Sequence, residues 1–208
     1  SLEGLEWAGG LPGSFGGAVR GNAGAFSGET KDSIVEVFAL DQKLSLKKFN
    51  KKQCQFKYRS SIFKKKNLPV VLAKIKLKKG VMGKLREIAN SRMDFRKQKH
   101  PLEYPNAGSI FKNVDLKLFS KKMQKELMNV VKKDPFPVVP TAYLISETGL
   151  KGTRVGNAEV SQKHPNFIVN LGGAKADDVL KLIDIVKKRV KKSYNVALEM
   201  EVQFVGDL

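Results

Sequence analysis

The chain has 208 residues, with 39 Lys+Arg against 20 Asp+Glu and a formal net charge of +19. Hydrophobic residues make up 41%, too many and too evenly spread for a disordered tail and enough for one large domain or two smaller ones. No apolar run approaches the ~18 residues of a membrane span, residues 1–26 lack the layout of a signal peptide, and the single cysteine, Cys54, excludes an internal disulfide and fits a reducing cytoplasm.

The first stretch, 4–26, is crowded with glycine, interleaved with Leu5, Trp7, Leu11, Phe15, Val19 and Phe26. That density lets the backbone approach a phosphate or a flavin edge closely, and the apolar anchors set it apart from a flexible linker. β-branched content predicts a strand over 33–40, a partner at 43–49 across a turn at 40–42, and a third strand at 70–77. Leu85, Ile88, Ala89 and Met93 recur at helical spacing and predict a helix over 83–95. Pro101 and Pro105 follow, and the domain boundary is placed near residue 98. Phe119, Met123, Leu127, Val130 and Val131 share one face of a helix expected over 117–133, which Pro135, Pro137 and Pro140 end. A short strand at 166–171 precedes a helix over 176–190, with Val179, Leu182, Ile183, Val186 and Val190 turned inward. Strict alternation then predicts a strand over 196–205. Its inner face is Val196, Leu198, Met200, Val202 and Phe204, and its outer face Glu199, Glu201 and Gln203. The fold class is α+β.

The charge raises nucleic acid as a partner, but the excess is mostly lysine, spread through 43–66, 74–79, 121–133 and 187–192. Specific readers lean on arginine forks and aromatic platforms; no RNA-binding aromatic signature and no helix-turn-helix pattern is present, so a basic nucleic-acid module is kept only as the alternative. His100 and His164 with Cys54 do not make an ordinary structural zinc site, and no metal is expected.

Three clusters can carry chemistry. In Cys54-Gln55-Phe56-Lys57-Tyr58-Arg59-Ser60-Ser61, an arginine beside a tyrosine and small hydroxyls can hold a carboxylate or phosphate bidentately. In the segment 99–113, Ser109 follows Ala107-Gly108, where backbone packs tightly. Its hydroxyl could protonate a developing carbanion, yet no Gly-x-Ser-x-Gly elbow surrounds it, and from this cluster alone a plain turn serine fits better. Glu199 and Glu201 lie two apart on one strand face. Periodicity does not choose between them, nor between a cleft and an exposed face.

Seven segments in order resemble the UDP-N-acetylenolpyruvoylglucosamine reductase family, also called UDP-N-acetylmuramate dehydrogenases. They are Gly4-Leu5-Glu6 through Pro12-Gly13-Ser14-Phe15-Gly16-Gly17-Ala18, Asn22-Ala23-Gly24-Ala25, the Tyr58-Arg59 segment, and Pro105-Asn106-Ala107-Gly108-Ser109-Ile110-Phe111-Lys112-Asn113. The rest are Leu144-Ile145 with Gly149-Leu150-Lys151-Gly152, the run from Val160 to Asn170, and Leu198-Glu199-Met200-Glu201-Val202. The resemblance implies a cytoplasmic, monomeric flavoprotein of peptidoglycan synthesis, with FAD as cofactor and NADPH as hydride donor. Its substrate would be a UDP-sugar, with no specific nucleic acid and no membrane as partner. Another oxidoreductase of the same FAD-binding fold is the second alternative.

By that resemblance 1–98 is the C-terminal part of a two-subdomain FAD-binding domain, and 99–208 a smaller α+β substrate-binding domain. Arg59, Ser109 and Glu201 would be catalytic, the match selecting Glu201 over Glu199. Gly10, Leu11, Pro12, Gly13, Ser14, Gly16, Gly17, Asn22, Ala23, Gly24 and Tyr58 would meet FAD. Tyr58, Arg59, Lys99, Asn113 and His164 would meet substrate. Several features depart from the family pattern. The family's diphosphate-binding Gly-rich turn is absent and would precede Ser1, so the chain is expected to be truncated. Val114 replaces a usual proline, the lysine-rich stretch after it is an insertion, and Gln203 stands where a basic residue is common. The spacing of Arg59 and Ser109 fits the shorter class without a capping element.

Overall fold

A computed structural model describes residues Ser1–Gly206, so Asp207 and Leu208 of the expected second domain lie outside the described residues. The chain divides into two compact units, Ser1–Arg96 and Lys97–Leu208, each mixing helices with antiparallel sheet. The α+β class read from the sequence holds in both.

In the first unit the central strand is Ile34–Leu40, flanked by Leu46–Asn50 on one side and Val70–Ile75 on the other, both antiparallel. Its two faces differ because side chains alternate from Glu36 on, past a register shift between Ile34 and Glu36. Ile34, Val37 and Ala39 turn inward onto Val19, Cys54, Ile62, Phe63 and Leu68. On the open face, Glu36 takes Lys48 at 2.6 Å and Lys74 at 3.9 Å. The reversal between the first two strands comes later than expected. Asp41 accepts at Oδ1 from the Lys43 and Ser45 amides, both at 2.9 Å, and Leu44 turns left-handed, so the hairpin loop spans 41–45 rather than 40–42.

The glycine-rich segment forms the helix Phe15–Gly21, capped by Ser14, and a hairpin pairing Gly24–Ala25 with Gly28–Glu29. At Gly28 a Cβ would come within 2.3 Å of the Trp7 ring, so only glycine lets the indole lie across the hairpin. The helix expected over 83–95 runs Met82–Lys99. Its inner edge carries Leu85, Ile88 and Ala89 as expected, but continues through Arg92 to the buried Arg96, while Met93 is 36% exposed.

The second unit is built on a four-stranded antiparallel sheet in the spatial order Arg154–Val155, Ala158–Val160, Phe167–Asn170, Asn106–Ser109. The helix Ala176–Tyr194 packs Leu182, Ile183, Val186 and Val190 into the core, as the periodicity predicts. Two expectations fail here. The single helix over 117–133 is instead a 3-10 turn Leu116–Leu118, a helix Lys121–Leu127 started by Ser120, and a second 3-10 turn Met128–Val130. Its apolar residues still reach the core, with Phe119 and Leu127 buried, but Ser120 caps a new helix and breaks the run. Before and after it, Val114–Asp115 pairs with Val138–Val139. The strand expected over 196–205 makes one isolated bridge, Phe111 to Met200, and Phe204 and Val205 are exposed. Burial alternates through Val196 and Leu198 as predicted, yet no neighbouring strand extends far enough to build a ladder.

Candidate functional site

Within the first unit the structure gathers Asn22, Gly24, Tyr58 and Arg59. Lys57 and Ser60 exchange backbone hydrogen bonds of 2.9 and 3.0 Å, which puts Tyr58 and Arg59 at the tip of a two-residue turn. Arg59 is left-handed at φ 53°, a costly conformation for any residue with a Cβ and one that marks a constrained site. Its Nη2 donates to the Gly24 carbonyl at 2.8 Å and its guanidinium lies 5.0 Å from the Tyr58 ring centre. Asn22 is fully buried. Its amide donates to Lys57 O at 3.1 Å and accepts from Lys31 N at 3.0 Å, so it ties the glycine segment to the Tyr58-Arg59 turn.

The loop ahead of the Phe15–Gly21 helix is exposed from Gly10 to Phe15. Gly13 has φ +111° and open space where a Cβ would stand, with Leu11 38% and Phe15 44% exposed on either side. A flat, largely apolar ligand can lie against such a loop. Cys54 takes no part in this chemistry: it is fully buried, and burial pushes its thiol up to about 11, which keeps it protonated and inert.

In the second unit Ser109 ends the strand Asn106–Ser109 and stands opposite Phe167. Asn106 shapes the approach. Its amide donates to Tyr104 O at 2.8 Å and Pro101 O at 3.2 Å, and its Oδ1 accepts from Gly108 N at 2.9 Å. Beyond Ser109, Asn166 works as a surrogate strand, its side chain exchanging bonds of 3.0 and 2.8 Å with the Phe111 amide and carbonyl. The C-terminal segment lies on the other side: Glu201 N donates to Ile110 O at 2.8 Å, and Lys112 N to Glu199 O at 2.9 Å.

This register separates the two glutamates that periodicity left equal. Glu199 pairs with the Lys112 ammonium and is 72% exposed at its side chain, whereas Glu201 is half-buried across from Ile110, the residue after Ser109. Asn113 accepts at Oδ1 from the Thr141 amide at 3.2 Å, which starts the helix Thr141–Glu147 and directs its amide nitrogen elsewhere. Lys99 is exposed at the end of its helix. His164 packs edge-on to His100 at 5.4 Å and to Phe167 at 4.7 Å. Burial first, and the neighbouring His100 next, hold its imidazole down to about 4, so it is neutral at physiological pH.

The sequence reading missed Asn166 and Thr141 as organisers, and Arg92 and Arg96 as inner residues of their helix. Only the last had a signal: from Ile88 the two arginines continue at helical spacing of four. Among the described residues no group of His, Cys, Asp and Glu could hold a metal ion, and no helix is long and apolar enough to cross a membrane.

Comparison with known proteins gives these positions a setting. Residues 100–205 match the family profile described as UDP-N-acetylenolpyruvoylglucosamine reductase, C-terminal domain. A UDP-N-acetylenolpyruvoylglucosamine reductase of Fervidobacterium nodosum is 44% identical over 203 residues, covering 97% of this chain and 59% of its own. One of Syntrophomonas wolfei is 42% identical, covering 100% of this chain and 62% of its own. The crystal structure of UDP-N-acetylenolpyruvylglucosamine reductase from Thermus caldophilus superposes with a TM-score of 0.74 at 31% identity, covering 97% of this chain and 64% of that one. The chain thus spans about three-fifths of the length of the relatives it matches. The resemblance read from the seven segments is borne out, and the chain belongs to the UDP-N-acetylenolpyruvoylglucosamine reductase family.

Proposed function

We propose that this protein reduces the enolpyruvyl ether of a UDP-N-acetylglucosamine substrate to UDP-N-acetylmuramate, with NADPH as donor and FAD as cofactor, in the cytoplasmic steps of peptidoglycan synthesis. The observation that carries the reading is the 44% identity across 97% of the chain with a relative of that name, a span that includes Arg59, Ser109 and Glu201. The first unit is then the C-terminal part of the FAD-binding domain and the second unit the substrate domain.

The glycine loop fits a flavin: Gly13 leaves open space, and Leu11 and Phe15 offer apolar surface. Gly10 to Ser14, Gly16 and Gly17 would hold one edge of FAD, with Asn22, Ala23, Gly24 and Tyr58 against another. FAD held there would supply the hydride, drawn from NADPH, that the terminal carbon of the enolpyruvyl double bond receives.

The remaining work falls to side chains. Hydride addition drives negative charge onto the neighbouring carbon and its carboxylate. The Arg59 guanidinium, a planar fork fixed by the Gly24 carbonyl, stabilises that charge as it develops. Glu201 acts on the same carboxylate. The Ser109 hydroxyl donates its proton to the carbon that carries the ether oxygen, completing the addition, and recovers a proton from solvent. A serine is a poor acid in water, and it serves here because the acceptor is strongly basic. Lys99 and the Asn113 amide nitrogen bind the diphosphate, and neutral His164 lines the substrate side.

The test is a chimera joining residues 1–208 to the remaining two-fifths of the Fervidobacterium nodosum relative. It should bind FAD and turn over NADPH beyond one equivalent per flavin only when the enolpyruvyl UDP-sugar is added, with UDP-N-acetylmuramate as product. A folded, flavin-loaded chimera that turns over NADPH without forming that product would overturn the reading.

A further inference from the structure

The hairpin 24–29 turns through Phe26 and Ser27, both left-handed at φ 49° and 65°. Two-residue hairpin turns of this hand favour Asn and Gly, and a phenylalanine there needs external support. The support is cationic. The Arg92 guanidinium carbon lies 4.2 Å from the Phe26 ring centre and that of Arg96 5.2 Å, while Phe95 meets the ring edge-on at 5.3 Å.

Stacking on a ring satisfies a guanidinium's face but not the N–H groups in its plane. Neither arginine pairs with a carboxylate among the described residues. Arg96 is 5% exposed, and its Nη2 makes a long bond of 3.4 Å to the Trp7 carbonyl. The Nε atoms of Arg92 and Arg96 and the indole nitrogen of Trp7 are all buried without an acceptor. Burial, then the charge of Arg92, depresses the affinity of Arg96 for its proton. Two guanidinium groups on one ring and three buried donors without acceptors are costly, and an anion joining them would offset that cost. On the same hairpin, Arg59 donates to Gly24 O.

We propose that Arg92 and Arg96, stacked on Phe26 beside Trp7, form a phosphate-binding site. Two guanidinium forks match the oxygens of a phosphate group, and a double positive charge suits a dianion better than a single carboxylate. The site goes beyond the catalytic residues assigned above and stands or falls without them. A nucleotide diphosphate and free pyrophosphate share the chemistry it recognises.

Trp7 is the one tryptophan in the chain, and its carbonyl contacts Arg96, so its fluorescence reports the site directly. Pyrophosphate is titrated into the 208-residue chain at constant ionic strength, held with potassium chloride. Trp7 emission should change saturably. Arg92→Gln, at a half-buried position, should weaken the apparent affinity about tenfold or more. Arg92→Lys, which keeps the charge and loses the fork, should fall between. Lys48→Gln, on the open sheet face, should leave binding unchanged. A nucleoside diphosphate that displaces pyrophosphate at lower concentration assigns the site to nucleotides, and equal potency assigns it to the phosphate group alone; both support it. No pyrophosphate response beyond the chloride control, or a response that survives Arg92→Gln, would overturn the proposal.

Discussion

Glu201 and His164 show how side chains of ordinary appearance are set apart by their neighbours. Alternation presented Glu199 and Glu201 as equals. Glu199 pairs with Lys112, and the register sets Glu201 opposite Ile110, the residue that follows Ser109. No spacing rule contains that distinction, because it depends on a partner segment far away in sequence. His164 carries a pH signature of its own. Its imidazole is held down to about 4 by burial and then by His100, with Lys132 adding to the same direction. The unfolded chain therefore binds the extra proton first, near the usual value of about 6.5, and the folded chain resists it until about 4. Stability should fall as pH drops through that window, by up to about 1.4 kcal/mol per pH unit, and level off below it. Thermal melts from pH 7.5 to 4.5 should show a steeper loss in the wild-type chain than in His164→Gln. Parallel slopes would remove His164 as the cause.

Elements were legible where one chain segment decides its own burial. The helix Ala176–Tyr194 and the strands Ile34–Leu40 and Phe167–Asn170 each have an apolar pattern that fits their structure. The stretch 117–133 kept its apolar face but not its helix, because Ser120 caps a new start and local hydrogen bonding outweighs periodicity. At 196–205 the period was right for burial through Leu198, failed at Phe204, and was silent about pairing. The helix Met82–Lys99 carried its inner face onto Arg92 and Arg96, where apolar periodicity cannot see. Asn166 joins two elements by imitating a strand, and its removal should be felt at that scale. Asn166→Ala leaves the buried Phe111 amide and carbonyl without their side-chain partners, and should cost about 2 kcal/mol in urea denaturation. A loss below about 0.5 kcal/mol would show that the strip beyond Ser109 is held by other contacts.

For the whole molecule, the +19 charge now has two components. Arg59, Lys99 and the Arg92–Arg96 pair stand where anionic ligands are proposed. The scattered lysines add a field that draws such ligands in and weakens with salt. The chain spans about three-fifths of its relatives' length, and half of the FAD site is expected in the part it does not span. FAD titrated into the 208-residue chain should therefore bind well below stoichiometry at micromolar concentration. A yellow protein carrying one flavin per chain would contradict that division of the site. The central claim is that Ser109 supplies the proton of the reduction, and the chimera with Ser109→Ala tests it when the two half-reactions are followed separately by stopped flow. The account predicts unchanged bleaching of the flavin by NADPH and reoxidation by the enolpyruvyl substrate slowed by about 100-fold or more, whereas reoxidation at the wild-type rate would contradict it.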